Sequence, residues 1–337
     1  MNLPVRVGVV GTRFGTAVHV PAFRADARCQ VVALAGRDAV RVEEVARVAG
    51  VPGVFPDAFA LIASGGVDAV TLAVPPAHQP ALIEAAARAG KAVFCEKPLA
   101  ASYSEAEAAV LAVETAGVVH AVDFLFPELE TWRQAAGLIA SGAIGSVKHF
   151  AYHWAVETWS GRTSPASWKS AEEDGGGTLG NFVSHVFHNV SALLGPVAGI
   201  VGFSERFRPR DGRGVSGVLE LTDGTVGTVV VATDAFLGRG HVVEVFGDEG
   251  TLVLRNTGRD YVSGFQLSLG RRADGMLRLV GEESIVPGRD GRIAPVSVLA
   301  SRFLDAVIGG GTVMPNLHDA LRVQALLASA RADREAR

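Results

Sequence analysis

Two hydrophobic rhythms alternate along the first 125 residues. Short apolar or β-branched runs at 5–10, 30–35, 54–55, 67–74, 92–95 and 118–122 read as strands buried on both faces. Between them, 39–49 and 79–89 carry apolar residues at helical spacing, with Asp38 and Asp57 placed as N-caps. Ser104 and Glu107 have the spacing of a capping box, which predicts a further helix ending near Gly117. Strands alternating with such helices specify a parallel sheet with right-handed crossovers. The domain is expected to span 1–123.

Beyond that point the rhythm changes. Residues 127–141 predict one amphipathic helix, and alternating segments follow at 147–157, 197–208, 215–222, 225–233, 241–247, 250–255 and 262–269. Thr222-Asp223-Gly224 and Gly247-Asp248-Glu249-Gly250 suit hairpins, so an α+β domain with a mostly antiparallel sheet is expected over 124–337. Helices near 295–308 and 317–332 close the chain and are expected to pack back on the first domain. One helical run, 178–194, interrupts the strands after Gly175-Gly176-Gly177 and places Asn181, His185 and His188 on one face.

Composition narrows the class of protein. The 337 residues are 48% hydrophobic with 40 glycines and a net charge of −4, so there is no basic face for nucleic acid or anionic lipid. Cys29 and Cys95 lie in strand-like runs and read as reduced core residues. A strand begins within a few residues of Met1, and no apolar run approaches the ~20 residues of a membrane helix. A cytoplasmic protein without nucleic-acid or membrane partners is the expectation.

Candidate chemistry gathers at strand ends. The 92–95 strand stops in Glu96-Lys97-Pro98, at the carboxyl edge where open α/β sheets bind ligands. The 5–10 strand stops in Gly11-Thr12-Arg13-Phe14-Gly15 before a helix, a strand–turn–helix context for a dinucleotide loop. Gly11 fills the first fingerprint position, while Arg13 and Thr16 stand where the second and third glycines belong. Arg13 must point outward or answer the phosphates itself. At the end of the second strand, Gly36-Arg37 stands where NAD sites place a carboxylate, which favours NADP over NAD. A tryptophan-rich stretch, Trp154, Trp159 and Trp168 with Arg162 and Lys169, suits the flank of a polyhydroxylated ring.

Taken in order, Gly8-Val9-Val10-Gly11 through Gly15 with His19 and Pro21, then Pro75-Pro76-Ala77-His78, Glu96-Lys97-Pro98, the 141–145 turn, and Gly175-Gly176-Gly177 with Asn181 and His185 resemble the Gfo/Idh/MocA oxidoreductases. The resemblance spans nearly the whole chain. It implies a Rossmann domain joined to an open-faced sheet, with hydride moved between NAD(P) and the hydroxyl or carbonyl carbon of a sugar or cyclitol. Lys97 matches the family's catalytic lysine, Glu96 the residue near the nicotinamide ribose, and His185 the histidine of Asp-x-x-x-His, whose aspartate position is Asn181. The expected cofactor set is Gly11, Thr12, Arg13, Phe14, Gly15, Arg37, Pro75, Pro76, His78, Glu96 and Lys97. Trp168, Lys169 and His188 are expected to meet substrate, and no metal is expected.

A lysine tuned by burial and nearby charge can donate or accept the proton that accompanies hydride transfer. Asn181 can orient His185 but brings no charge, so the proton is assigned to Lys97. Two other readings compete: a non-catalytic NAD(P)-binding sensor of the same fold, and a metal hydrolase built on His149, His153, His185 and His188. An uncovered sheet face predicts a homodimer or homotetramer through that face.

Overall fold

The computed structural model describes residues 4–158, 168–204, 214–258, 260–286 and 288–335. Trp159 and Arg162 lie outside the described residues. The chain divides into two compact units, one of Met1–Leu125 with Gly288–Gln324 and one of Phe126–Pro287 with Ala325–Arg337.

In the first unit, strands β1 (Val5–Val10), β2 (Cys29–Ala35), β3 (Gly53–Phe55), β4 (Ala69–Leu72), β5 (Ala92–Glu96) and β6 (His120–Asp123) form one parallel sheet in the order β3-β2-β1-β4-β5-β6. The near-continuous apolar strands are buried because helices cover both faces. Strand order reverses between β1 and β4, so the carboxyl ends of these strands open the crevice in which such sheets hold ligands.

Local chemistry sets the helix ends. Asp38 and Asp57 cap the Ala39–Ala49 and Ala58–Ala63 helices by accepting from Arg41 and Ala60 amides. The capping box of the Tyr103–Ala116 helix is Ser102 with Glu105, two residues before the expected pair. Ser102 has the extended backbone an N-cap requires, whereas Ser104 already sits inside the first turn. The Ile293–Gly309 helix belongs to this unit, where Phe23, Phe94 and Phe303 meet edge to face at 5.2–6.1 Å between centroids. Arg28 ties the same helix down through Asp305 and Ser301.

The second unit is built on an eight-stranded sheet: β7 (Val147–Ala155), β8 (Val197–Ser204), β9 (Gly214–Leu221), β10 (Val226–Ala232), β11 (Gly240–Gly247), β12 (Gly250–Asn256), β13 (Gln266–Arg271) and β14 (Arg278–Glu282), ordered β14-β13-β12-β11-β7-β10-β9-β8. All neighbouring pairs are antiparallel except β7 with β10. β14 was not legible because its apolar residues, Leu279 and Val280, are adjacent instead of alternating. Phe150, Tyr152 and Trp154 are buried on one face with Val243, Val245, Leu252 and Leu254, while His149 and His153 are half-buried on the other. The Glu130–Ala140 and Ser184–Leu194 helices lie on the buried face, Trp132 against Phe265 and His185 against Trp154. Among the described residues no helix is long and apolar enough to cross a membrane.

Candidate active site

Glu96 closes β5, and Lys97 follows it into the turn; the Lys97–Pro98 peptide is cis. This turn is held from behind by a side chain that the sequence did not single out. Gln79, fully buried at the start of the Gln79–Arg88 helix, accepts from the Glu96 amide at 3.0 Å and donates to the Glu96 and Pro98 carbonyls at 2.8 Å each. One amide group therefore satisfies backbone groups on both sides of the turn, with the Leu99 carbonyl a longer further acceptor at 3.3 Å. Its signal in the sequence is faint: a glutamine after Pro75-Pro76-Ala77-His78, at a position where a helix start alone would be satisfied by many residues.

Behind the Glu96 carboxylate lies a second group of residues. Glu96 and Asp123 are register partners on β5 and β6, so both project from the same level of the sheet. His19 comes from the π-helical turn Gly15–His19 and places Nε2 3.2 Å from Glu96 Oε1 and 3.6 Å from Asp123 Oδ2. Its Nδ1 lies 2.8 Å from Thr71 Oγ1, and its ring is edge-on to Phe14 and Phe94. His19, Thr71 and Asp123 are buried, and the Glu96 side chain is 15% exposed.

Electrostatics follow from that packing. Burial alone would lower His19, but the Asp123 and Glu96 carboxylates more than reverse it and hold the imidazole up at about 9. Burial also works against an ionised Glu96, yet His19 and the Lys97 charge keep its carboxyl below the ordinary range. Asp123 is pushed up to about 7, first by burial and then by the Glu96 charge. The stable arrangement is an imidazolium beside one firmly ionised and one readily protonated carboxylate.

The nucleotide loop lies on the same unit at the end of β1. Gly11 has φ +127°, and a Cβ there would strike the Ala73 carbonyl at the end of β4. Only glycine fits. Gly15 is buried, and a Cβ on it would stand 3.0 Å from Val9, so it takes the close helix–strand packing of the fingerprint's last glycine. Thr16, where the fingerprint places that glycine, instead donates from Oγ1 to the Gly11 carbonyl at 3.3 Å. Thr12 and Phe14 are half-buried, while Arg13 is exposed. Arg37 is exposed just past β2, with Asp38 occupied as a helix cap. Pro75 is half-buried, Pro76 buried and His78 exposed in the turn after β4. The loop, the Pro75–His78 turn and Glu96-Lys97 thus share the carboxyl edge of β1, β4 and β5. A glycine turn at the end of β1 that leads into a helix-like segment fits a dinucleotide phosphate.

The remaining candidates belong to the second unit. The expected 178–194 helix starts as a π-helical turn, Leu179–Val183, that holds Asn181, and continues as Ser184–Leu194. The sequence placed its polar residues opposite an apolar face, but His185 and His188 are themselves buried, at 5% and 7% exposure. His185 stands edge-on to Phe126 at 5.0 Å, and burial pushes His188 down to about 3, which makes it a neutral imidazole. Trp168 and Lys169 form a short turn, and a Cβ on Gly176 would strike the Trp168 carbonyl, which explains one of the three consecutive glycines. The hydrolase constellation is not assembled: His149 and His153 lie on the sheet face opposite the one that meets His185. The tightest acidic–imidazole cluster among the described residues is instead His19, Glu96 and Asp123.

Comparison with known proteins agrees with this layout. Residues 5–124 match the model of the GFO/IDH/MocA oxidoreductase family, NAD-binding Rossmann fold, and residues 132–253 match the GFO/IDH/MocA C-terminal domain. An uncharacterised oxidoreductase of Synechocystis sp. is 29% identical over 95% of this chain and 91% of its own length. Levoglucosan dehydrogenase of Pseudarthrobacter phenanthrenivorans is 28% identical over 64% of this chain and 63% of its own. A solved levoglucosan dehydrogenase in complex with NADH and levoglucosan superposes with a TM-score of 0.84 at 26% identity, covering 98% of both chains.

Proposed function

The chain belongs to the Gfo/Idh/MocA family and is an NAD(P)-dependent dehydrogenase/reductase, and on that premise we propose that it oxidises or reduces a single carbon of a sugar, cyclitol or similar small polyol, with Lys97 as the proton donor and acceptor. The observation that carries this reading is the shared carboxyl edge of β1, β4 and β5, which brings the glycine cradle at Gly11 and the Glu96-Lys97 turn into one crevice of the first unit. The sugar dehydrogenase among its relatives supports the substrate class.

When bound, the nicotinamide cofactor supplies or takes up the hydride. The chain's own residues do the rest. Gly11, Thr12, Phe14 and Gly15 cradle the phosphates, with Arg13 free to add its charge from outside the loop. Gln79 fixes the backbone on both sides of Lys97, so the lysine leaves the strand end in one direction. Lys97 accepts the hydroxyl proton in oxidation or returns it to the carbonyl oxygen in reduction. Glu96, held ionised by His19, keeps a negative charge beside the lysine and favours its ammonium form until substrate is in place. In the second unit the candidates for substrate contact are His185, which Asn181 can orient, His188 as a neutral imidazole, and Trp168 with Lys169.

Arg37 beside the β2 end, with Asp38 committed to a helix cap, favours NADPH over NADH. The half-buried outer face of the second unit's sheet supports assembly as a homodimer or homotetramer. A fluorescence titration with NADPH and NADH tests the reading at its base: binding of both with NADPH tighter is expected, and Arg37→Ala should weaken NADPH far more than NADH. Failure to bind either would overturn it.

A further inference from the structure

We propose that His19, Glu96 and Asp123 are one proton-sharing unit, a positioning group that stands behind Lys97 and sets the charge the lysine faces. The proposal deepens the assignment above and rests on Lys97 being the proton-transfer residue.

Three geometric facts carry it. First, β5 and β6 are parallel with Glu96 opposite Asp123, so two carboxylates leave the sheet at one level toward one imidazole. Second, His19 Nε2 lies within 3.2 and 3.6 Å of the two, while its Nδ1 is engaged with Thr71 Oγ1, so a doubly protonated ring is used at both nitrogens. Third, both Asp123 oxygens are buried with no partner at ordinary hydrogen-bond distance, and the His19 Nε2 at 3.6 Å faces one of them. A buried carboxylate pair cannot keep two full charges cheaply beside a single cation. A proton retained on Asp123 resolves this. The unit is then neutral with one proton on Asp123 and carries −1 without it, the proton being exchanged with solvent.

Among the described residues, these groups surround the unit. From β5 and its turn come Lys97, which lowers Glu96, and the Cys95 thiol, itself pushed well up by burial and the two carboxylates. From the Ile293–Gly309 helix comes Phe303 against Phe94, while Asp305 on that helix is paired with Arg28 and Arg302 donates to the Met314 carbonyl. Arg292 lies over the Phe14 ring at 4.9 Å and pairs with Asp290. With Asp123 at about 7, the change of charge falls within the physiological range. Glu96 is the member of the unit that interacts with Lys97, so a loss of Asp123's proton would reach the lysine through Glu96 and hold its ammonium more firmly. The unit is thus a pH-responsive setting of the general acid and base.

The experiment uses the full chain and needs no substrate. Imidazole ¹⁵N spectra, with His19→Asn to assign the signal, are expected to show His19 doubly protonated at pH 7.5 in the wild type. Asp123→Asn is expected to lower its midpoint by about one pH unit or more, as removal of a charge at this range does. The chain has four lysines, Lys91, Lys97, Lys148 and Lys169, so the Lys97 ε-carbon signal is readily followed. It should move with the titration of the unit in the wild type and lose that movement in Asp123→Asn. If that variant does not fold, the wild-type Asp123 carboxyl ¹³C signal decides, with a midpoint near neutrality expected in place of the ordinary value of about 3.9. A neutral His19 at pH 7.5, a normal Asp123 midpoint, or a stoichiometric divalent metal lost in His19→Asn would overturn the proposal. Turnover that survives Lys97→Ala would instead remove the functional assignment while these titrations still decide the unit.

Discussion

His19 Nε2 and Glu96 Oε1 face each other at 3.2 Å inside the first unit, an imidazole and a carboxylate joined far from one another in sequence. Because the folded imidazole is raised to about 9 from an ordinary 6.5, the folded state binds a proton that the unfolded state releases between those values. Its stabilisation is complete below pH 6.5 and is lost as pH rises toward 9. Asp123, raised to about 7, acts in the same sense over a lower window, with its contribution fading from about pH 4 to 7. Each window carries a slope of at most about 1.4 kcal/mol per pH unit. Denaturant unfolding is therefore expected to show lower stability at pH 9 than at pH 6, and His19→Gln should flatten the difference. A stability that rises from pH 6.5 to 9 would contradict this account.

Lys97→Ala is expected to abolish turnover while cofactor affinity stays within about tenfold, a loss under about 1.4 kcal/mol. The alanine removes the proposed proton-transfer group but leaves the Gly11 turn and the Gln79 clamp untouched. Steady-state rates across a panel of pyranoses and cyclitols, together with cofactor titration, check the two halves separately. Retention of the wild-type rate would move the proton to another residue.

Much of this architecture was legible because it depends on local rules. β1 and the Ala39–Ala49 helix stand where periodicity put them, and Asp38 caps as its residue type predicts. Glu96-Lys97-Pro98 could be found because charge ends an apolar strand abruptly. What stayed hidden depends on pairing across the sheet. Asp123 directly follows the expected 118–122 strand, and only the β5–β6 register reveals that it faces Glu96. The close-packing role of Gly15 was obscured because it stands one position before Thr16, where the fingerprint's last glycine is expected. The burial of His185 and His188 in the second unit was not legible either, since helical periodicity marks a polar face but not what covers it.

Gln79→Leu is expected to lower turnover by at least about tenfold, with thermal stability reduced as well. The leucine fills comparable space but leaves the Glu96 amide and the Glu96 and Pro98 carbonyls without their partner, each costing about 1–3 kcal/mol when buried. Gln79→Glu separates position from satisfaction, because it restores the acceptor for the amide while losing the donors. Its rate should fall between wild type and Gln79→Leu; equal rates for all three would show that the turn holds itself.

Gly11→Ala and Gly50→Ala distinguish strain from collision. Both glycines have positive φ, +127° and +61°, so an alanine at either pays a backbone penalty of roughly 1–2 kcal/mol. At Gly50, which ends the Ala39–Ala49 helix, nothing lies within 4 Å of the new Cβ, and the cost should stop there. At Gly11 the Cβ meets the Ala73 carbonyl, a backbone atom fixed by its place after β4, so β1 and β4 must part or the loop must shift. Gly11→Ala is accordingly expected to lose several kcal/mol of stability or, if it folds, to lose NADPH and NADH binding together. Gly50→Ala should keep both affinities. Comparable cofactor binding by the two variants would show that the Gly11 turn is not the phosphate cradle, because only one of them disturbs it.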